Sequence, residues 1–130
     1  MPDDTIRIRK RPPTVVQLLR LLNKVRVKCI NYFPDKSQRG EWRPLPETDG
    51  DIGGTVVVAT KADPQRGVDG LISVGLHELT HAFFQINCQD DRVHHNRIYR
   101  WEGLIFKSRA LREAMAVRIA NSYIFGVEDP

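Results

Sequence analysis

Two histidines and a glutamate stand close together in the segment His77-Glu78-Leu79-Thr80-His81. If this segment is helical, His77 and His81 are one turn apart on the same face, so both imidazoles can bind one metal ion. Glu78 is then one step round the helix, where its carboxylate can reach a water molecule on that ion. Zinc lowers the pKa of such a water to about 7, and a nearby carboxylate can accept its proton. The spacing therefore predicts a zinc (Zn²⁺) site with Glu78 as the general base.

The residues around this segment favour a helix. Apolar runs precede and follow it, at residues 71–76 and 82–84, and no proline occurs between residues 68 and 87. The alternative is a core helix whose two histidines are hydrogen-bonded to carboxylates and bind no metal.

A zinc site of this kind needs a third protein ligand. The downstream candidates are His94 or His95, Glu102 and Glu113. We predict Glu113, because a ligand on a helix packed beside the zinc helix is held by its backbone and its neighbours. His94 and His95 lie in a polar segment, residues 87–96, where the loop alone would have to fix them.

Small residues recur at helical spacing around Glu113 and would give its helix a narrow face for close packing: Ala110, Ala114, Val117 and Ala120. Glu113 borders this face. Glu102 is a weaker candidate because it precedes Gly103, where the continuity of the helix is least certain.

Two families of metallopeptidases resemble this chain. The segment 77–81, together with the later Glu113-Ala114 and its following alanines, resembles the gluzincins of the ImmA/IrrE type over residues 55–125. That resemblance implies a compact zincin-like domain, zinc held by His77, His81 and Glu113, and a protein substrate such as a transcriptional repressor.

The second resemblance is to the SprT-type metallopeptidases. It rests on the segment 77–81 with Ala82-Phe83-Phe84 after it, and on an acidic loop that ends at His94-His95. It implies a histidine as the third ligand. The two resemblances therefore disagree about one residue and agree about His77, Glu78 and His81.

The reaction predicted from these residues is hydrolysis of a peptide bond, with Glu78 moving a proton from water to the leaving amine. The donor that stabilises the oxyanion stays open among Tyr99, Tyr123 and the histidine pair 94–95. A zinc protein that uses the site for folding or partner binding is the alternative, and it would need a closed four-ligand site.

The composition is that of an ordinary globular chain, with 41% hydrophobic and 28% charged residues in 130. A basic N-terminal arm, residues 1–13, contains Arg7, Arg9, Lys10 and Arg11 and precedes one domain, residues 14–130. Such an arm can bind nucleic acid, although a solvated terminus is the simpler interpretation. Two cysteines and the lack of a long apolar run predict a cytoplasmic protein without a disulfide framework or a membrane span.

The remaining patterns predict an α+β fold with a small sheet, a zinc helix and a C-terminal helix. A helix should begin after Thr14, which forms a capping box with Gln17. Strands are predicted at residues 27–33 and 55–60, and a last helical region at 97–125 with a break at Gly103. The family resemblance implies an edge position for the strand at 55–60, although a central strand would have the same sequence.

Overall fold

The computed structural model describes residues 11–44, 53–88 and 95–124, and in this part of the chain the fold is α+β, as predicted. Its α-helices are α1 (Val15–Leu22), α2 (Gly67–Cys88), α3 (His95–Glu102) and α4 (Arg109–Ile124). Its strands are β1 (Arg26–Ile30), β2 (Gly40–Pro44) and β3 (Gly54–Ala59). Short 3₁₀ turns at Pro64–Arg66 and Ile105–Lys107 precede α2 and α4. None of the described helices combines the length and the apolar character that crossing a membrane requires.

The start of α1 follows its sequence signal. The Gln17 N–H donates to Thr14 Oγ1 at 3.1 Å, and the Thr14 N–H donates to Gln17 Oε1 at 2.9 Å, which completes the predicted capping box. Pro13, just before it, is fully buried. The basic residues Arg7 to Lys10, on which the idea of a nucleic-acid contact depends, lie outside the described residues.

The sheet has the strand order β1-β3-β2. β1 runs parallel to β3, and β2 runs antiparallel to it. The strand predicted at 55–60 is therefore central, and the edge position implied by the family resemblance is wrong. Val56, Val57 and Val58 are each 0% exposed, so side chains on both faces of β3 are covered. The strand at the edge beside α2 is β2.

The C-terminal helical region is broken at Gly103, as predicted. α3 ends at Glu102, the Gly103 N–H donates to the Arg100 carbonyl at 3.2 Å, and α4 begins at Arg109. The polar segment predicted as a loop is shorter than expected, because α2 continues to Cys88 and α3 already begins at His95. The stop signal at Gly126 lies outside the described residues.

The buried face of α4 differs from the predicted one. Leu111, Met115 and Ile119, spaced four residues apart, are at most 4% exposed, whereas Val117 of the predicted face is 57% exposed. The small residue that permits close packing lies on α2 instead. A Cβ atom at Gly75 would come within 2.8 Å of the Met115 sulfur, so the glycine makes room for the methionine.

Arg118 joins α4 to the end of α1. Its guanidinium donates to the main-chain carbonyl of Leu22, the last residue of α1, which has no intrahelical partner, and to that of Val25, just before β1. Two charge-assisted bonds thus close a helix terminus against the strand that follows it.

Replacing Arg118 with Met keeps a long apolar stem but removes both donors. We expect Arg118→Met to lower the free energy of unfolding by about 2 kcal/mol, because hydrogen bonds to charged groups contribute more than neutral ones. Urea unfolding measures this loss. The matched control is Arg109→Met on the same helix, where the side chain is 91% exposed and its pair with Glu113 should contribute little. An equal loss in both variants would contradict the role given to Arg118.

Candidate metal centre

Helix α2 supplies the first two histidines of the site. It packs against β3, β2, α4, α1 and α3, and its residues Ile72, Leu76 and Leu79 are buried in the main core. This packing fixes the rotation of the helix about its own axis. His77, which is 7% exposed, and His81 consequently stand one turn apart, with their Nε2 atoms 3.2 Å from each other.

His95, the first residue of α3, completes a cluster of three imidazoles. The ring centroids are 4.9 Å apart for His77 and His81, 5.0 Å for His77 and His95, and 4.9 Å for His81 and His95. One ligand nitrogen from each ring lies within 4.8 Å of the other two. Three side chains arranged in this way could bind a metal ion.

The separation of the nitrogen atoms fits a tetrahedral ion. Imidazole nitrogens bind such an ion at about 2.0–2.1 Å, which places any two of them about 3.3 Å apart. The 3.2 Å between His77 Nε2 and His81 Nε2 agrees with that value. Within the described residues the cluster consists of three histidines, one fewer than the four ligands of a tetrahedral ion.

Glu102 lies on the other side of the His77 ring. Its Oε1 is 3.6 Å from His77 Nδ1, while His77 Nε2 faces His81. This is ion-pair distance and longer than a hydrogen bond. A carboxylate on this side would favour a proton on Nδ1, which would leave Nε2 as the nitrogen that could bind a metal. Burial raises the pKa of Glu102, and the nearby guanidinium groups of Arg66, Arg39 and Arg112 oppose that rise. Glu102, which the sequence offered as a ligand, thus lies beside His77, one of the three histidines of the cluster.

Glu113 is not brought to the histidine cluster, which corrects the prediction that it is the third ligand. Its side chain is 64% exposed, and its Oε1 accepts a hydrogen bond from Arg109 Nε at 2.8 Å. Glu113 is two residues from both Leu111 and Met115, so it lies about 160° round α4 from the buried face. The position taken by His95 is the one that the sequence analysis gave to Glu113. The neighbouring His94 lies outside the described residues.

Glu78 lies in a cleft beside the histidines. The cleft has a volume of about 310 Å³ and is lined by Ser37, Arg39, Gly40, Arg66, Ser73, Val74, His77, Glu78, His95, Tyr99 and Glu102. A Cβ atom at Gly40 would be 2.5 Å from Val74 Cγ1 and 3.0 Å from Glu78 Cγ. Only a glycine lets the first residue of β2 approach the general-base candidate this closely.

Of the residues predicted as oxyanion donors, Tyr99 and His95 both line this cleft. The Tyr99 ring centroid is 5.2 Å from that of His77, and the side chain is 49% exposed at the rim. The side chain of Tyr123, the other candidate tyrosine, is outside the described part of the structure.

A signal for α3 was present in the sequence. His95, Tyr99 and Glu102 are spaced four and three residues apart, which puts them on one helix face. Ile98 and Trp101, which are 0% and 6% exposed, mark a neighbouring buried face, about 100° round the helix. Because the helix was predicted to begin at residue 97, His95 was assigned to a loop and was not counted on the same face as Tyr99 and Glu102.

Comparison with known proteins gives no family for this chain. No family model, no curated protein and no solved structure matches it. Any function must therefore be argued from the geometry of the site and the chemistry of its residues.

The third ligand can be tested by metal content. We expect the purified chain to carry close to one metal ion, and His95→Ala to lose most of it, as His81→Ala should. Glu113→Ala should keep the full amount, because its carboxylate pairs with Arg109 in solvent. Elemental analysis after dialysis measures the content. If Glu113→Ala empties the site while His95→Ala leaves it filled, the centre described here is wrong.

Glu102 should affect the metal through His77. Residues that contact a metal ligand without binding the metal typically contribute about 10- to 100-fold to metal affinity. We therefore expect Glu102→Ala to raise the dissociation constant of the metal by that factor. Competition with a chelating dye measures the affinity. The matched control is Glu41→Ala, since Glu41 pairs with Arg43 outside the cleft and should leave the affinity unchanged. An unaltered affinity in Glu102→Ala would exclude this positioning role.

Proposed function

We propose that this chain is a zinc-dependent peptidase in which His77, His81 and His95 hold the metal and Glu78 is the general base. The observation that carries the proposal is the convergence of three imidazoles, two of which, His77 and His95, line a cleft together with Glu78. Imidazole ligands suit zinc, and three of them leave a position for water or substrate. A histidine as third ligand agrees with the SprT-type resemblance and departs from the ImmA/IrrE type.

Each side chain of the cleft has a separate role in the proposed hydrolysis. A bound zinc ion supplies a Lewis acid that activates water and polarises the peptide carbonyl. Glu78 accepts a proton from the attacking water and returns it to the nitrogen of the leaving amine. Glu102 keeps the proton of His77 on Nδ1. The Tyr99 hydroxyl at the rim is our candidate for the hydrogen-bond donor to the carbonyl oxygen as it becomes negative.

The edge of β2 supports a peptide as the substrate. The Ala59 N–H donates to the Arg39 carbonyl at 2.9 Å, so in this antiparallel pair Glu41 and Arg43 direct their backbone groups to β3. The backbone groups of Gly40 and Trp42 consequently point away from β3. In agreement, the Gly40 carbonyl accepts a hydrogen bond from the Gln38 side chain at 3.1 Å. An extended peptide could add to this edge next to Glu78.

The openness of the site favours catalysis over a purely structural metal. A closed structural site needs four protein ligands. Among the described residues the cluster holds three candidate ligands. Two of them, His77 and His95, line the cleft together with Glu78 and Tyr99. A substrate carbonyl could therefore reach the centre from the cleft.

Glu78→Gln separates catalysis from metal binding. We expect this variant to keep its zinc and its fold and to lose about 10²- to 10⁴-fold in the rate of peptide hydrolysis, the usual contribution of a general base. The rate is measured on a mixed peptide pool by mass spectrometry, and the zinc by elemental analysis. Glu41→Gln, a glutamate outside the cleft, is the matched control. Undiminished hydrolysis by Glu78→Gln, or no hydrolysis by the zinc-loaded wild type, would refute the proposed function.

A further inference from the structure

Two arginines line the same cleft as the zinc ligands. Arg39 directly precedes Gly40 at the start of β2, and Arg66 lies in the turn before α2. Neither has a part in the proposed hydrolysis. Both side chains are well exposed, at 39% and 47%, so their guanidinium groups are accessible to a molecule in the cleft.

Carboxylates of the described residues lie near this pair: Asp63, and Glu78 and Glu102 in the cleft. The Asp63 Oδ2 is 3.5 Å from Arg39 Nη1 and 4.0 Å from Arg66 Nε, and both distances exceed those of a hydrogen bond. Both guanidinium groups thus contact Asp63 at ion-pair distance, and their exposed sides can donate to a substrate carboxylate, which matches the planar guanidinium well.

The arginines also act on the centre of the cleft. Arg66 and Arg39 line the same cleft as Glu102, which lies beside His77. Their field therefore extends to the place where a substrate would be cleaved. Desolvation at a cleft of this kind strengthens such charge effects relative to bulk water.

We propose that the Arg39–Arg66 pair binds an acidic side chain of the substrate at a residue flanking the scissile bond. This inference rests on the proposed peptidase function and specifies its substrate class. It follows from the continuity between Arg39 and the edge of β2, because an extended peptide on that edge carries its side chains past Arg39. A substrate with Asp or Glu at that position is preferred over one with the neutral amide.

Binding tests the inference without hydrolysis. Zinc-loaded Glu78→Gln protein is titrated with fluorescein-labelled octapeptides that carry either Glu or Gln at one position, which is moved along the peptide. At one position the Glu peptide should bind about 10- to 100-fold more tightly, as expected for a hydrogen-bonded charged group. Equal affinities at every position would overturn the inference.

Variants of the two arginines identify the site of recognition. Adding Arg39→Gln or Arg66→Gln should reduce the preference for Glu to near unity, and Arg66→Glu should shift it to a Lys peptide. Arg43→Gln is the matched control, because Arg43 lies on the same strand but pairs with Glu41 at 2.6 Å outside the cleft. A preference that survives both glutamine variants would assign the recognition elsewhere and overturn the inference.

Hydrolysis by the wild type distinguishes this inference from the function on which it rests. A higher kcat/KM for the Glu peptide supports both. Equal kcat/KM for the Glu and Gln peptides overturns acidic specificity and leaves the peptidase standing. Selective binding of the Glu peptide with no cleavage of any peptide overturns the peptidase and retains recognition of an acidic partner.

Discussion

The pairing of two imidazoles on α2 is the constraint on which the rest of the site depends. Two ring nitrogens 3.2 Å apart, one of them on a side chain that is 7% exposed, require either a proton or a cation between them. The structure surrounds them accordingly. α3 brings the ring centroid of His95 to 5.0 Å from that of His77 and 4.9 Å from that of His81. It also brings the Glu102 carboxylate to 3.6 Å from His77 Nδ1, so both nitrogens of that buried ring have a polar neighbour.

The parts that sequence could predict are those with local signals. The capping box of α1 needs only Thr14 and Gln17, which are three residues apart. β3 contains three consecutive valines, and the zinc helix is marked by an apolar run with histidines at helical spacing. For these elements, the local conformational propensity and the burial pattern favour the same structure, so the rest of the fold does not change the local preference.

The third histidine of the cluster could not be predicted in the same way, because its position depends on contacts between distant elements. Either the face of α4 that carries Glu113 or the opposite face could have packed against α2. The contact between Met115 and Gly75, 40 residues earlier in the sequence, decides for the opposite face. His95 depends on where α3 begins inside a run that is polar except for Val93, and the local sign of that start is the spacing of His95, Tyr99 and Glu102. The position of β3 in the sheet likewise follows from its pairing with β1 and β2 on opposite sides, a relation between strands and not a property of one.

The least distinctive strand, β2, ties these features together. Gly40 lets it approach Val74 and Glu78, and the Trp42 indole donates to Gln85 at 2.9 Å, one helical turn beyond His81. β2 is thus held to α2 on both sides of the metal centre. Its outward backbone groups and the guanidinium of Arg39 then lie at fixed positions relative to Glu78. In the proposed peptidase, a peptide aligned by this edge would contact the Arg39–Arg66 pair and Glu78 in one register, so a shift that misplaces the acidic side chain would also misplace the bond to be cleaved.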